Sequence, residues 1–493
     1  MRFTKAFSLG LSALVLAKEI PKDLEMAAAL YDNGYMHEKI MGEKETFWAA
    51  RDAEQVEINA QNALMGAEAI VDPWVELHFA QCRDGRAVPF RDQATNFFRC
   101  NNINLHHFLS HTALGSQMTP NTSIGSSSWG WVSDDGREFA IIAQADGAAF
   151  AEVTNAGKLQ YLGRLPQTPG AAAAVWREIR RFKHYIIVGS ESYNHHIQIF
   201  DLKKLLDLDY RKGPKTFDPA TDLTGFYGNL PDGRAHNVLA NDDSDFAYVV
   251  GARPRTSACQ SGLIFLNLTD PSAPVSPGCA PMDGYVHDAQ CLMYKGPDTR
   301  YLGREVCYAY NEDSLSIYDV TDKQFPELIS VTGYEGATYA HQGWVLDKEW
   351  QNFLILDDEY DEIDGRSPGT PGHAITYIWD ISDLESPKQT GYYEAPRIAN
   401  DHNQYVYGNY AYQSNYGAGI SVLDISSIPG NPTGSGVTEF AWFDMYPEND
   451  NSTGISALGF VGAWSSYAGF PSGHIIINSI ERGAFVVKIQ NPA

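Results

Sequence analysis

Leu315-Ser-Ile-Tyr-Asp-Val-Thr-Asp-Lys323 decides the fold, because six other stretches of the chain repeat it. They are GAAFAEVTN (147–155), HIQIFDLKK (196–204), GLIFLNLTD (262–270), ITYIWDISD (375–383), ISVLDISSI (420–428) and AFVVKIQNP (484–492). Around them the texture is of short β-prone runs separated by Gly, Asp, Asn and Pro, with no strong helical period between. Several copies continue through a proline into another β-prone run, as in Pro326-Glu-Leu-Ile-Ser-Val331 and Pro387-Lys-Gln-Thr-Gly-Tyr-Tyr393. Each unit is therefore expected to be a small antiparallel sheet rather than a hairpin.

The copies recur every 45 to 66 residues, a spacing that suits propeller blades with long loops. One unit parses as an innermost strand His341 to Leu346, then Phe353 to Asp357, Ile375 to Ile381 and an outer strand Gln389 to Glu394. The last unit runs through Ala463-Trp464, His474 to Ser479 and Ala484 to Ile489 and lacks a fourth strand. An open edge of that kind invites aggregation, and Ile103 to Leu109 is the stretch expected to fill it. The fold class that follows is all-β: a seven-bladed propeller of four-stranded antiparallel blades over 101–493, closed by the strand near 103–109.

Upstream, residues from about Asp23 to Met65 are rich in Ala, Glu, Met and Leu, and Leu24, Leu30, Ile40, Met41, Phe47 and Trp48 supply apolar positions for amphipathic helices. Residues 18–100 thus form a helical N-terminal extension with one disulfide-closed loop. Residues 1–17 read as a secretory signal: Arg2 and Lys5, the apolar run Ala6 to Ala17, and small residues Val15 and Ala17 before a cleavage point. No later segment approaches the roughly 18 continuous apolar residues of a spanning helix.

Composition narrows the partners. Against 36 Lys and Arg stand 61 Asp and Glu, a formal charge of −25, and a surface so negative repels nucleic acid and anionic lipid. An unidentified extracellular protein, glycan or small molecule is the expected partner, and a monomer the expected state. In an oxidising compartment the six cysteines are expected to pair locally, Cys82 with Cys100, Cys259 with Cys279 and Cys291 with Cys307. Asn121, Asn267 and Asn451 stand in glycosylation sequons.

The innermost strands carry a second pattern. Trp129, Trp176, His236, His287, His341, His402 and Trp464 follow one another at separations of 47, 60, 51, 54, 61 and 62 residues, one per blade. Residues opening innermost strands lie near the mouth of a propeller's channel. Loops at that mouth would add Glu191 and His195, Glu312 and Asp313, Asp357, Asp358 and Glu359, Asn415 and Tyr416, and Glu481 with Arg482. Convergent neutral imidazoles would hold a divalent transition metal, with zinc, copper and iron not distinguished. The polar residue after each histidine, Asn237, Asp288, Gln342 or Asn403, would orient the rings as second ligands' partners do. The competing reading is that these side chains hydrogen-bond one blade to the next with no metal. The acidic run 357–364 could hold calcium, though it lacks the spacing of an EF-hand. Neither Ser465 nor Ser472 sits in a nucleophile elbow.

The segments HNVLAN (236–241), DGYVHDAQC (283–291), GREVCYAYNED (303–313), YAHQGW (339–344), LDDEYDE (356–362), NDHNQYVYG (400–408) and SIERGAFVV (479–487) resemble the choice-of-anchor B family, secreted proteins with LVIVD-type propeller repeats. The resemblance runs from Tyr31 to Pro492 and takes in YDNGYMHEKIM (31–41). It implies an extracellular or surface-associated protein and no particular reaction. Two departures stand out: no anchoring tail follows the last repeat, which favours release, and His195 with His196 replace the family's His-Gly in one loop. The function expected is a ligand- or partner-binding scaffold with a histidine-lined channel mouth; the alternative is a metal-dependent oxidoreductase or hydrolase using the same cluster.

Overall fold

The structure, a computed structural model, describes residues 17–64, 72–89, 97–450 and 458–491. The signal expected over 1–17, apart from Ala17, and the sequon at Asn451 lie outside these residues.

Among the described residues the strands gather into seven separate sheets. Every copy of the repeated segment supplies the third strand of its sheet, for example Leu315–Asp319, Ile420–Asp424 and Gly483–Ile489. Burial explains why the repeat is so apolar: Leu315, Ile317, Tyr318, Ile375, Tyr377 and Trp379 are inaccessible to water, because both faces of each sheet pack on neighbouring sheets. The first strands are Gly125–Val132, Arg177–Phe182, Asn237–Asn241, Asp288–Met293, Ala340–Val345, Asn403–Tyr407 and Ala463–Tyr467. Each lies against the next, and the last lies against the first, so they line a closed central channel. This is a propeller arrangement of small antiparallel sheets.

Ile103–Ser110 runs antiparallel to Gly483–Ile489, in register from Ile103 with Ile489 to Ser110 with Gly483. The start and end of the propeller share that sheet. Segment 72–89 crosses the outside of the same strand, bridging Leu77 to Phe108 and Ala80 to Leu105. The hairpin that follows, with Phe98–Asn101, extends the neighbouring sheet by pairing with Thr438–Phe443. Cys82–Cys100 staples this hairpin, Cys259–Cys279 ties the loop before the third strand of the third sheet to that sheet's fourth strand, and Cys291–Cys307 joins directly opposed residues of adjacent strands. All six cysteines are thereby paired as expected.

The extension contains one long helix, Tyr35–Leu64, laid over the channel mouth. His37, Ile40, Met41, Lys44 and Trp48 are buried at a spacing that puts them on one face. Tyr31, Met36 and these apolar residues pack on Tyr339, Tyr360, Tyr416, Phe460, Trp464 and Ile480 from the propeller. Leu24 and Phe47, expected among the apolar contacts, are instead exposed. Among the described residues no helix is long and apolar enough to cross a membrane.

Candidate metal centre

Each of His236, His287 and His402 stands one residue before its innermost strand, and His341 sits in a bulge where Ala340 pairs with Asp358 and Gln342 with Asp357. That common position brings the rings into a continuous arc, with centroids 4.2, 4.2 and 4.5 Å apart from His236 through His402. All four are buried. With Trp176, Glu178, Trp464 and Lys44 they line a cavity of about 10 Å³, room for about one water or ion.

Three of the four outward nitrogens are spoken for. His287 Nδ1 donates to the His341 carbonyl at 2.8 Å and His402 Nδ1 to the Trp464 carbonyl at 2.6 Å. His236 Nδ1 lies 3.0 Å from Glu191, whereas His341 Nδ1 has no hydrogen-bond partner, with Asp357 at 3.4 Å. Burial raises the Glu191 carboxyl, but the His236 bond and the Arg253 and Arg234 guanidiniums outweigh it and hold Glu191 below its usual range. His236 Nδ1 is then the donor. Carbonyl or carboxylate partners at Nδ1 leave Nε2 as the free lone pair, which is how proteins prepare imidazole for a metal.

Those Nε2 atoms do not all meet at one point. His236 and His287 face each other at 2.7 Å, and with both Nδ1 protons spent the two lone pairs require a proton or cation between them. The compact set is His341, His402 and Glu359, whose ligand atoms lie within 4.8 Å of one another. Burial drives His287 and His341 well below the ordinary imidazole range and brings His402 down to about 4, against the pull of Glu359. All three are neutral at pH 7, the state that ligates metal.

Lys44 completes the site. Its Nζ lies 2.5 and 2.6 Å from the two Glu359 oxygens, and Tyr416 donates its hydroxyl to the same carboxylate. Burial lowers the lysine's proton affinity and Glu359 opposes that. Below, Glu178 accepts the Trp464 indole N–H at 3.0 Å, and burial raises its carboxyl to about 7 against hydrogen bonds from Ser127 and Trp464.

Other expected residues are used differently. Trp129 does not share the ring: the strand pairing bulges between Gly125 and Ser128, so serines take the equivalent place. Trp129 sits farther along the channel, where the Arg180 guanidinium lies over its ring at 4.2 Å. Asp358 accepts backbone N–H groups from Thr338, Tyr339, Tyr360 and Asp361 and the Tyr334 hydroxyl, an anchor for its loop rather than a ligand. His195 packs against Arg177 away from the arc. Glu312 pairs with Arg255 at 2.7 Å in a separate recess of about 380 Å³ beside Lys22 and Asp313. Glu481 accepts the Gly462 N–H and pairs with Arg51 at 3.3 Å, whereas Arg482 pairs with Glu448 and stacks on Trp74. Asn415 is buried with its Oδ1 unpartnered.

The residues after the histidines mostly do not orient them. Gln342 Oε1 accepts the Gln404 N–H at 2.9 Å, across one blade boundary, and Asn237 bonds Asp288 across another. Asn403 alone among them touches an imidazole, that of His402, at 3.0 Å. Orientation comes chiefly from carbonyls and carboxylates, because successive residues of a strand point to opposite faces. Asn121 is half-buried with its amide on Gln55, and Asn267 is half-buried at a strand end. A further group, Glu76, His78 and His107, gathers on the outer edge of the last sheet, with Glu76 and His78 exposed.

Lys44 and His37 escaped the sequence reading because charged and polar residues count against a buried face. Their signal was the spacing to Ile40, Met41 and Trp48 on one helical stripe.

No family model matches the chain, and neither does any curated protein sequence. Among solved structures it is similar to Kuenenia stuttgartiensis hydrazine synthase, with a TM-score of 0.46 and 11% identity over 74% of this chain and 95% of that one. It is also similar to the computationally designed Ika8 protein, at 0.42 and 9% over 74% and 83%. Likeness of that degree carries no argument about activity.

Proposed function

We propose that this protein is a secreted, seven-bladed propeller scaffold that binds a divalent transition metal through His341, His402 and Glu359, with His287 and His236 beside them. The observation that carries the reading is a buried group whose ligand atoms lie within 4.8 Å of one another, His341, His402 and Glu359, beside His236 and His287, with the Nδ1 atoms of His236, His287 and His402 on acceptors and all four rings lining one small cavity. A mixed imidazole and carboxylate set accommodates zinc, copper or iron. Three disulfides suit an oxidising compartment, and the resemblance to the choice-of-anchor B family supports an extracellular place.

The covered site favours binding over turnover. A catalytic metal keeps an open position for substrate, whereas here the long helix seals a cavity of about 10 Å³. Metal analysis of the untagged protein tests the proposal. About one zinc, copper or iron per chain is expected, lost on replacing His341 and His402 with Ala. A wild-type protein that stays metal-free after exposure to each of these ions overturns it.

A further inference from the structure

We propose a binding site for a small organic ammonium ion in the recess of about 380 Å³ between the N-terminal extension and the propeller, with Asn311 Oδ1 and Asp313 Oδ2 as its acceptors. The site is separate from the histidine cluster and needs none of its chemistry. The extension supplies Lys22, Leu24 and Asp32 to the walls, and the propeller supplies Asp283, Asn311 and Asp313. The last two lie in the tight turn between the strands Glu305–Tyr310 and Leu315–Asp319.

Direct bonds hold these groups together. Lys22 Nζ lies 2.7 Å from Asp283 Oδ1 and 3.1 Å from Asp313 Oδ1. Asp283 Oδ2 in turn accepts the Asn311 amide N–H at 2.8 Å and the Ser316 hydroxyl. That bond fixes which way the Asn311 amide faces, because the opposite orientation would set its oxygen against a carboxylate. Asn311 Oδ1 and Asp313 Oδ2 are then left with no hydrogen-bond partner, in residues only 2 and 3% exposed. Acceptors buried in this way carry a desolvation cost that a donor entering the recess would remove.

Charge selects the donor. When all are ionised, Asp32, Asp283, Glu312 and Asp313 stand against Lys22 and Arg255, an excess of two negative charges around one recess. Arg255 is committed to Glu312 through two N–H bonds, at 2.7 and 3.1 Å. Burial raises the Asp313 carboxyl to about 7, with Lys22 opposing the shift and Asp283 adding to it, so a further cation at Oδ2 would lower the cost of its charge. Lys22 displays the chemistry the recess recognises, since its own ammonium fits between two of these carboxylates. Calcium takes about six to eight oxygen ligands, which carboxylates shared with Lys22 and Arg255 do not supply. Leu24, 75% exposed at the rim, and Ala27 offer apolar surface to the carbon part of an amine. The volume lies in the range of small-molecule pockets, about 300–1,000 Å³.

The probe is 1,5-diaminopentane, titrated calorimetrically into the full chain in an amine-free buffer, with 1,5-pentanediol as its neutral counterpart of equal length. Salt at about 0.15 M screens the diffuse negative surface. The diamine is expected to bind at least about tenfold more tightly than the diol. Asp313→Asn should weaken it by about tenfold, and Asp32→Asn, a change at an exposed rim position, by about threefold. His341→Ala should leave it unchanged, which separates this recess from the histidine cluster. A diol that binds as tightly as the diamine overturns the proposal in favour of a neutral ligand, and calcium that displaces the diamine at equal concentration overturns it in favour of a metal. So does the absence of binding at millimolar diamine, or binding that neither carboxyl substitution alters. Should Asp313→Asn not fold, Asp32→Asn and the diol comparison decide.

Discussion

An ammonium against a carboxylate in a dry site, as Lys44 is against Glu359, contributes little net stability, yet removing one partner strands the other. Lys44→Met is therefore expected to destabilise the metal-free protein by about 3–5 kcal/mol, and denaturant unfolding with added zinc should recover much of that loss because a cation again faces Glu359. At His402 the sign of the pH effect follows from burial. Its folded pKa is about 4 against about 6.5 in the unfolded chain, so below pH 6.5 the unfolded state takes up a proton that the folded state refuses. Stability is lost as pH falls from about 6.5 to about 4, by about 3 kcal/mol from this group. The metal-free wild type should thus show a steeper decline across that window than His402→Asn. The histidines were legible as residues because they are rare and regularly spaced. Their roles were not, since a tautomer is set by whichever carbonyl or carboxylate the fold brings to Nδ1.

At the scale of elements, the long helix is a plug held by few large contacts. Trp48 lies 5.1 Å from the Trp176 ring and 6.1 Å from the Trp464 ring, and donates its indole N–H to the Phe460 carbonyl at 2.7 Å. Trp48→Ala is expected to cost about 3–5 kcal/mol if the helix unfolds with the propeller. A helix that detaches on its own would instead show a separate low-temperature transition by calorimetry, with the histidine cavity opened to water. The strand pattern of this chain was readable from periodicity alone, since short apolar runs ending in turn residues alternate from Gly125 to Ile489. The register was less so: Trp129 matched the spacing of the ring residues, but a bulge moves it farther along the channel. A bulge shifts which side chain faces the axis without changing the residue count between blades.

For the whole molecule, closure depends on one strand pairing contributed from far away in the chain. A protein beginning at His111 would lack Ile103–Ser110 and leave Gly483–Ile489 as a bare apolar edge. It is expected to be recovered aggregated, and a monodisperse monomer by size-exclusion chromatography would show that the pairing is dispensable. By itself the sequence determined the all-β class, the repeat, the three disulfides and the set of histidines, because strand period, cysteine proximity and rare-residue spacing are local quantities. Only the tertiary structure decided that Lys44 meets Glu359 and that His341, His402 and Glu359 come together as a group that could hold a metal. Those groups are separated by tens to hundreds of residues, and what brings them together is the packing of blades and helix, which no local pattern encodes.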